Sequence, residues 1–375
     1  MTGPGPVPGA GGVQGSPRPP ANGNWVPPGT WRPPGQQPHT GFPPPGQQPT
    51  HAGFPPPVQY QRPIAVRPPA LPTQPREYQE FWRTPGVPVW KPLVAVLLGA
   101  VGFLLISLLV SAAGIFYDIA TSGTTIDEVL AGLLEGEISQ AVFVANSVAL
   151  GLMVALSFLL QRIVGQPPGF LSSVVGRVRW RWMLTCFGIS IVAVGLLTAV
   201  ELALVGWDGL NLAPQPGWPL LLLAILLVTP FQAAGEEYLV RGVLFRAVGA
   251  LLPHRLLGLA LGAVVSSLVF VLLHSAADPW LNLVYFCMGL LFCYLTWRTG
   301  GLEAAIAMHA ANNLLGLAFV PFQEWGGIFD RSEGVAGPEV LIQLVLLVAA
   351  GVVIEVLARR RGITRRSAPA SDRAI

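Results

Sequence analysis

The stretch PLLLLAILLVTPFQAAGEEYLVR, residues 219–241, decides the fold. It runs from Pro219 to Gly235 without a charged residue and then places Glu236, Glu237 and Arg241 in quick succession. A helix of about 20 predominantly apolar residues crosses a hydrocarbon layer about 30 Å thick, and only helices or closed barrels satisfy every backbone polar group there. Comparable apolar runs lie near 93–117, 141–160, 183–205, 219–235, 256–277, 280–297, 302–320 and 338–358. They predict an all-α fold, a polytopic transmembrane helix bundle of about eight spans. Composition agrees, since a 375-residue chain that is 52% hydrophobic and 11% charged carries more apolar surface than one soluble core needs.

Outward from the bundle the character of the chain changes. Residues 1–90 hold 25 of the 37 prolines, and Gly35-Gln36-Gln37-Pro38 is echoed by Gly46-Gln47-Gln48-Pro49, each with a Gly-Phe-Pro-Pro-Pro downstream. Proline fixes φ and lacks the N–H that a helix or ladder requires, so this Pro-rich, Gly-rich segment is expected to be a disordered tail sampling polyproline II. Its repeated Phe-Pro-Pro-Pro could bind a protein partner, with a plain tether the simpler reading. The expected organisation is therefore a tail over 1–90, a helical bundle over 91–358 and a basic tail over 359–375.

Charge sets the expected orientation. No basic segment followed by an apolar run opens the chain, so the first span is expected to direct insertion itself. With the N-terminal tail inside, Arg162, Arg177, Arg179, Arg181, Arg241, Arg246, Arg255 and Arg298 fall at inside segments, and Arg331 is the only basic residue left outside. Asp118, Asp127, Glu128, Glu135, Glu137, Asp208, Asp278, Glu324, Asp330 and Glu333 fall outside. The positive-inside rule then puts both termini in the cytoplasm of a multi-pass plasma-membrane protein. The net charge of +3 calls for no nucleic-acid partner, because the arginines flank spans instead of forming one basic face. Cys186, Cys287 and Cys293 lie in apolar runs and are read as packing residues.

An ionisable side chain at the centre of a lipid-embedded helix costs about 2.5–3.5 kcal/mol on insertion scales, so several together require a reason. Glu237 and Arg241, four apart, share a helix face and can pair; that pair alone would be structural. Glu236 points about 100° away and is free to face a cavity, where a carboxylate can act as a general base. His274 closes the fifth apolar run, after Phe270, and His309 and Asn313 lie one turn apart on the seventh. At 1.5 Å per residue His309 counts about 13 Å inward from Gly300-Gly301, whereas His274 counts about 24 Å. A common site therefore requires the fifth helix to end within the bilayer, or a strong tilt.

Glu-Glu-x-x-x-Arg, Phe-x-x-x-His and His-x-x-x-Asn, in this order on successive apolar segments, resemble the CPBP family, which joins type II CAAX prenyl proteases to bacteriocin-processing and immunity proteins. The resemblance covers roughly residues 180–320. It implies an intramembrane endopeptidase in which Glu236 and His274 activate water, His309 and Asn313 stabilise the oxyanion, and Glu237 and Arg241 support them. The implied partners are a peptide or membrane-protein substrate, expected from the cytoplasmic side, and the lipid bilayer. No cofactor is required on this reading. Zinc held by Glu236, His274 and His309 is the alternative, although no His-Glu-x-x-His helix is present.

Other classes fit less well. There is no Gly-x-Ser-Gly nucleophile segment, and Asp118 and Asp208 fall at outer loops where an aspartyl pair cannot form. Glu201 and Glu355 lie outside the motifs and are read as interfacial or packed residues. No inverted repeat with matching broken helices suggests a transporter. A non-catalytic immunity or scaffold protein that keeps the motif as a polar cluster is the competing reading.

Overall fold

The computed structural model describes residues 68–134, 138–206, 212–323, 325 and 329–369. The helices are α1 (Trp90–Ser122), α2 (Ile126–Leu134), α3 (Gln140–Val164), α4 (Gly169–Ser172), α5 (Trp180–Val205), α6 (Trp218–Glu237), α7 (Arg246–Leu251), α8 (Arg255–His274), α9 (Pro279–Thr299), α10 (Glu303–Gly316) and α11 (Val340–Arg360). A π-helical segment, Tyr238–Phe245, joins α6 to α7 without a break. Among the described residues eight helices are long and apolar enough to cross a membrane, α6 through α7 forming one span of 34 residues, Trp218–Leu251. Among the described residues there is no strand, only isolated bridges such as Ser173 with Gly301. The protein is an all-α, integral multi-pass membrane protein.

Local chemistry sets the helix ends. Asp278 caps α9 by accepting the N–H groups of Trp280 and Leu281, with Pro279 at the first turn where its missing N–H costs nothing. Gly300, at φ +66°, stops α9 in the left-handed conformation that glycine adopts without steric penalty. Ser139 caps α3 by accepting from the N–H of Val142.

The bundle is built around α10, whose residues Glu303 to Ala311 are all buried. It packs against α5, α6 and α9, while α3 lies between α1 and α6, and α11 leans on α5 and α9. Buried Glu303 ties the start of α10 to that of α5: Arg179 donates through Nε to Oε1 at 2.8 Å and through Nη2 to Oε2 at 2.6 Å. That two-pronged pair holds His309, two turns further on, at a fixed height. Elsewhere large side chains such as Leu104, Leu108, Leu109, Val192, Leu220 and Leu272 face outward, which is stable only against lipid tails.

Residues 1–67 lie outside the described residues, but 68–89 form a strap packed on one end of the bundle. Tyr78, Phe81 and Trp82 are buried there. Tyr78 Oη donates to the carbonyl of Leu171, Trp82 Nε1 donates to Gln161 at 2.8 Å, and Gln166 donates to the carbonyl of Phe81 at 2.9 Å. Proline density fixed the expected boundary at 90. The correction lies in three large rings at spacings of three and four, which bury enough area to offset the ordering of a short segment.

The basic tail is likewise ordered as far as the described residues go. Arg76 N–H donates to Ser367 Oγ at 3.1 Å and Ser367 N–H donates to the Arg76 carbonyl at 2.9 Å. The described flanks of the bundle thus meet at one face.

Candidate active site

Glu236 and Glu237 are the last two residues of α6, and the π segment begins directly after them. Gly235 lets α6 approach α3 here, since a Cβ at that position would lie 1.8 Å from the carbonyl oxygen of Leu150. Within the π segment Ser266 of α8 donates to the carbonyl of Val240 at 3.3 Å. Such departures from the α-helical ladder recur at functional sites.

The two acids have different environments. Glu237 is wholly buried, and its Oε1 accepts from Arg241 Nη1 at 2.9 Å and from His309 Nδ1 at 2.9 Å. Arg241 is equally buried, its guanidinium carbon 4.3 Å from the Phe270 ring centre and 5.3 Å from that of Phe292. Glu236 keeps 12% of its side chain exposed and accepts from Gln232 Nε2 at 3.1 Å. Its Oε2 stands 3.9 Å from His309 Nε2, too far for a direct hydrogen bond and suited to a water-bridged one. The His309 ring is fixed in orientation by Glu237 on one nitrogen and by stacking on Phe292, centroids 5.3 Å apart.

His274 is the last residue of α8. Its Nδ1 donates to the carbonyl of Phe270 at 2.7 Å, which leaves Nε2 with the lone pair. The ring lies against Phe270 and Tyr285, centroids 4.4 Å and 4.1 Å away, and Phe270 also meets His309 at 5.6 Å. Both histidines therefore share one aromatic wall.

His274 sits level with Tyr285, six residues into α9, so α8 stops about 9 Å short of the start of α9 at 1.5 Å per residue. Ser275 ends the helix at φ +50°, an uncommon conformation for a residue with a Cβ. The chain then turns through Asp278, which burial pushes toward higher pKa. The backbone N–H groups of Leu281, Ala336, Gly334 and Trp280 outweigh that burial and hold the carboxyl below its usual range. From the separate connection between α10 and α11, Arg331 reaches in to donate to the carbonyl of His274, and its own carbonyl accepts from the N–H groups of Ala277 and Asp278.

Asn313, one turn beyond His309, accepts from Asn312 Nδ2 at 3.2 Å through its own Oδ1, so its amide N–H groups are left as donors. Asn312 in turn accepts from Gln343 of α11 at 2.6 Å.

The structure thus brings Glu236, Glu237, Arg241 and His309 into one contiguous cluster, with His274 on its aromatic wall and Asn313 on its neighbouring turn. The sequence reading missed Gln232, Tyr285, Phe292 and Arg331. Gln232 carried a signal, a polar residue one turn before Glu236 in an apolar run; the others did not. Among the described residues no group of three or more His, Cys, Asp or Glu side chains is gathered as a metal-ligand set.

Residues 217–315 match the family profile described as type II CAAX prenyl endopeptidase Rce1-like. The match is narrower than 180–320, beginning at α6 and ending within α10, and it contains the whole cluster. The chain is 29% identical over 192 residues to the uncharacterized protein YyaK of Bacillus subtilis (strain 168), which covers 48% of this chain and 60% of that protein. The aligned part is thus less than two thirds of that relative's length. No solved structure matches the chain.

Proposed function

We propose that the protein is an intramembrane endopeptidase that hydrolyses a peptide bond of a membrane-associated substrate with water activated by Glu236 and His274. The observation that carries this reading is the division of labour between adjacent acids: Glu237 is wholly buried with its Oε1 shared by Arg241 and His309, whereas Glu236 is partly exposed and holds Oε2 3.9 Å from His309 Nε2. The family match over 217–315 supports a membrane endopeptidase at the level of the family.

In this mechanism water lies between Glu236 Oε2 and the lone pair of His274 Nε2. Glu236 removes one proton as the oxygen adds to the substrate carbonyl. The developing oxyanion is met by N–H groups of His309 and Asn313, donors of a kind worth about 2.7–4 kcal/mol each in the transition state. A donor at His309 Nε2 requires a ring protonated on both nitrogens, since Nδ1–H is engaged by Glu237. That proton brings the charge of Glu236, Glu237, Arg241 and His309 together to zero. Glu236 then returns its proton to the leaving nitrogen as the C–N bond breaks, giving an acid and an amine. Glu237 and Arg241 act as positioning residues through His309.

The strap end of the bundle faces the cytoplasm of the plasma membrane in this reading, and substrate arrives from that side. A cysteine replacing Gln232, labelled only by reagent added at the opposite face, would contradict that route.

The test is cleavage of a quenched peptide library and a lipidated peptide by purified protein beside Glu236→Ala and His309→Ala, with and without a zinc chelator. Cleavage lost in both variants and indifferent to chelator supports the mechanism. No cleavage by well-folded protein moves the reading to a non-catalytic immunity or scaffold protein.

A further inference from the structure

A second constellation lies on the strap face, away from Glu236. Between α8 and α9 runs a groove of about 340 Å³ whose lining includes Leu256, Leu259, Ala260, Leu290, Cys293 and Trp297. Its volume falls at the small end of the roughly 300–1,000 Å³ typical of ligand pockets, and its lining is almost wholly apolar.

Trp297 connects the groove to a cluster of charges. Its Nε1 donates to Glu77 at 2.9 Å, and the Arg365 guanidinium carbon lies 4.0 Å over its ring. Buried Glu77 is paired with Arg255 at 2.8 Å, Arg365 at 2.9 Å and Arg366 at 3.3 Å. Beside it Glu355 is shared by Arg298 and Arg359. Five guanidinium groups against two carboxylates leave an excess of three positive charges at the end of an apolar groove.

That excess is not internally satisfied. Arg365 Nε is buried without a hydrogen-bond partner, and the side chains of Arg255 and Arg366 are 41% and 54% exposed. Burial, above all, holds the Arg365 guanidinium below its usual pKa; Glu77 opposes this, and Arg298, Arg366 and Arg255 add to it by repulsion. Leu256, Leu257 and Leu261 on the same helix are exposed, so this side of α8 is a lipid-facing surface.

We propose that the α8–α9 groove and the arginines at its mouth form a binding site for one anionic phospholipid, its acyl chain in the groove and its phosphate on Arg255, Arg365 and Arg366. Cationic clusters where a span meets the membrane surface recognise anionic headgroups. A free phosphate would use the arginines but not the groove, and a zwitterionic lipid would fill the groove without neutralising the cluster.

The experiment uses the full chain in detergent, read by native mass spectrometry and thermal shift, so it does not depend on the peptidase reading. Phosphatidylglycerol, phosphatidylcholine and inorganic phosphate are added separately to wild type, Arg365→Ala/Arg366→Ala, the charge-keeping Arg365→Lys/Arg366→Lys, and the groove-filling Ala260→Trp. Phosphatidylglycerol should be retained at least tenfold better than phosphatidylcholine and raise Tm. The preference should fall at least tenfold in the Ala and Trp variants and be largely restored by the Lys pair. Equal retention of the two lipids, a preference unchanged by Ala260→Trp, or a shift reproduced by phosphate alone would overturn the site.

Discussion

Glu236 and Glu237 are chemically alike and one residue apart, yet their substitution should give opposite kinds of defect. Glu236→Ala removes a partly exposed carboxylate held by one hydrogen bond from Gln232. It should lower cleavage at least about 100-fold, the scale of a general base, while Tm in detergent stays within a few degrees of wild type. Arg241→Ala strands the buried Glu237 carboxylate, a change that typically costs about 3–5 kcal/mol. Its Tm and membrane abundance should fall with its activity. Were Glu236→Ala to lose stability and Arg241→Ala to keep it, the assigned division of roles would be reversed. This much was legible from the sequence, because helical geometry alone separates adjacent acids and pairs residues four apart. Phe270 and Phe292, which hold Arg241 and His309 in register, were not, since an aromatic residue in a membrane span gives no sign of which neighbour it will meet.

At the level of helices, the site depends on three departures from regular spans: the close approach of α6 to α3 at Gly235, the π segment after Glu237 and the early end of α8. Gly235→Ala would place a methyl group within 1.8 Å of the Leu150 carbonyl oxygen, so the backbones must separate. Overpacking of this sort typically costs about 1–3 kcal/mol. The expected outcome is a lower Tm together with reduced turnover, since Glu236 is the next residue; unchanged kinetics would show that the site tolerates movement of α6. Hydropathy located all eight spans because lipid demands long apolar helices regardless of sequence detail. It could not locate the π segment, since mean hydropathy is blind to whether a helical stretch is α or π. Nor could it choose where α8 stops, because Ser275 takes its left-handed conformation where the α8–α9 turn meets Arg331 of the connection between α10 and α11.

Across the whole molecule, the strap face is held by Glu77. Burial pushes its carboxyl up, but donors on Trp297 and Gln79 and the charges of Arg365 and Arg255 outweigh that and hold it below the usual range. A depressed folded-state pKa contributes stability that is present above the ordinary carboxylate pKa and is lost as pH falls through the lowered one. Thermal stability should therefore decline on acidification below about pH 4.5, and Glu77→Gln should flatten that limb. An equally steep decline in the variant would assign it to another carboxylate. Trp82→Ala, which empties a buried site between strap and α3, should cost about 3–5 kcal/mol by denaturant titration. For topology, Val89→Cys and Gly362→Cys should be labelled from one side of the membrane and Gly123→Cys from the other. Proline content concealed the strap, because a few large rings at the end of a low-complexity segment hardly change its composition. The strap also orders events during synthesis. Residues 76–83 emerge before any span, yet their partners are Gln161, Leu171, Arg255, Trp297 and finally Arg365 to Ser367. The strap must therefore wait for residues that follow α11, so this face is latched only after α11 has been made, and a chain stalled before Arg365 would present it unlatched.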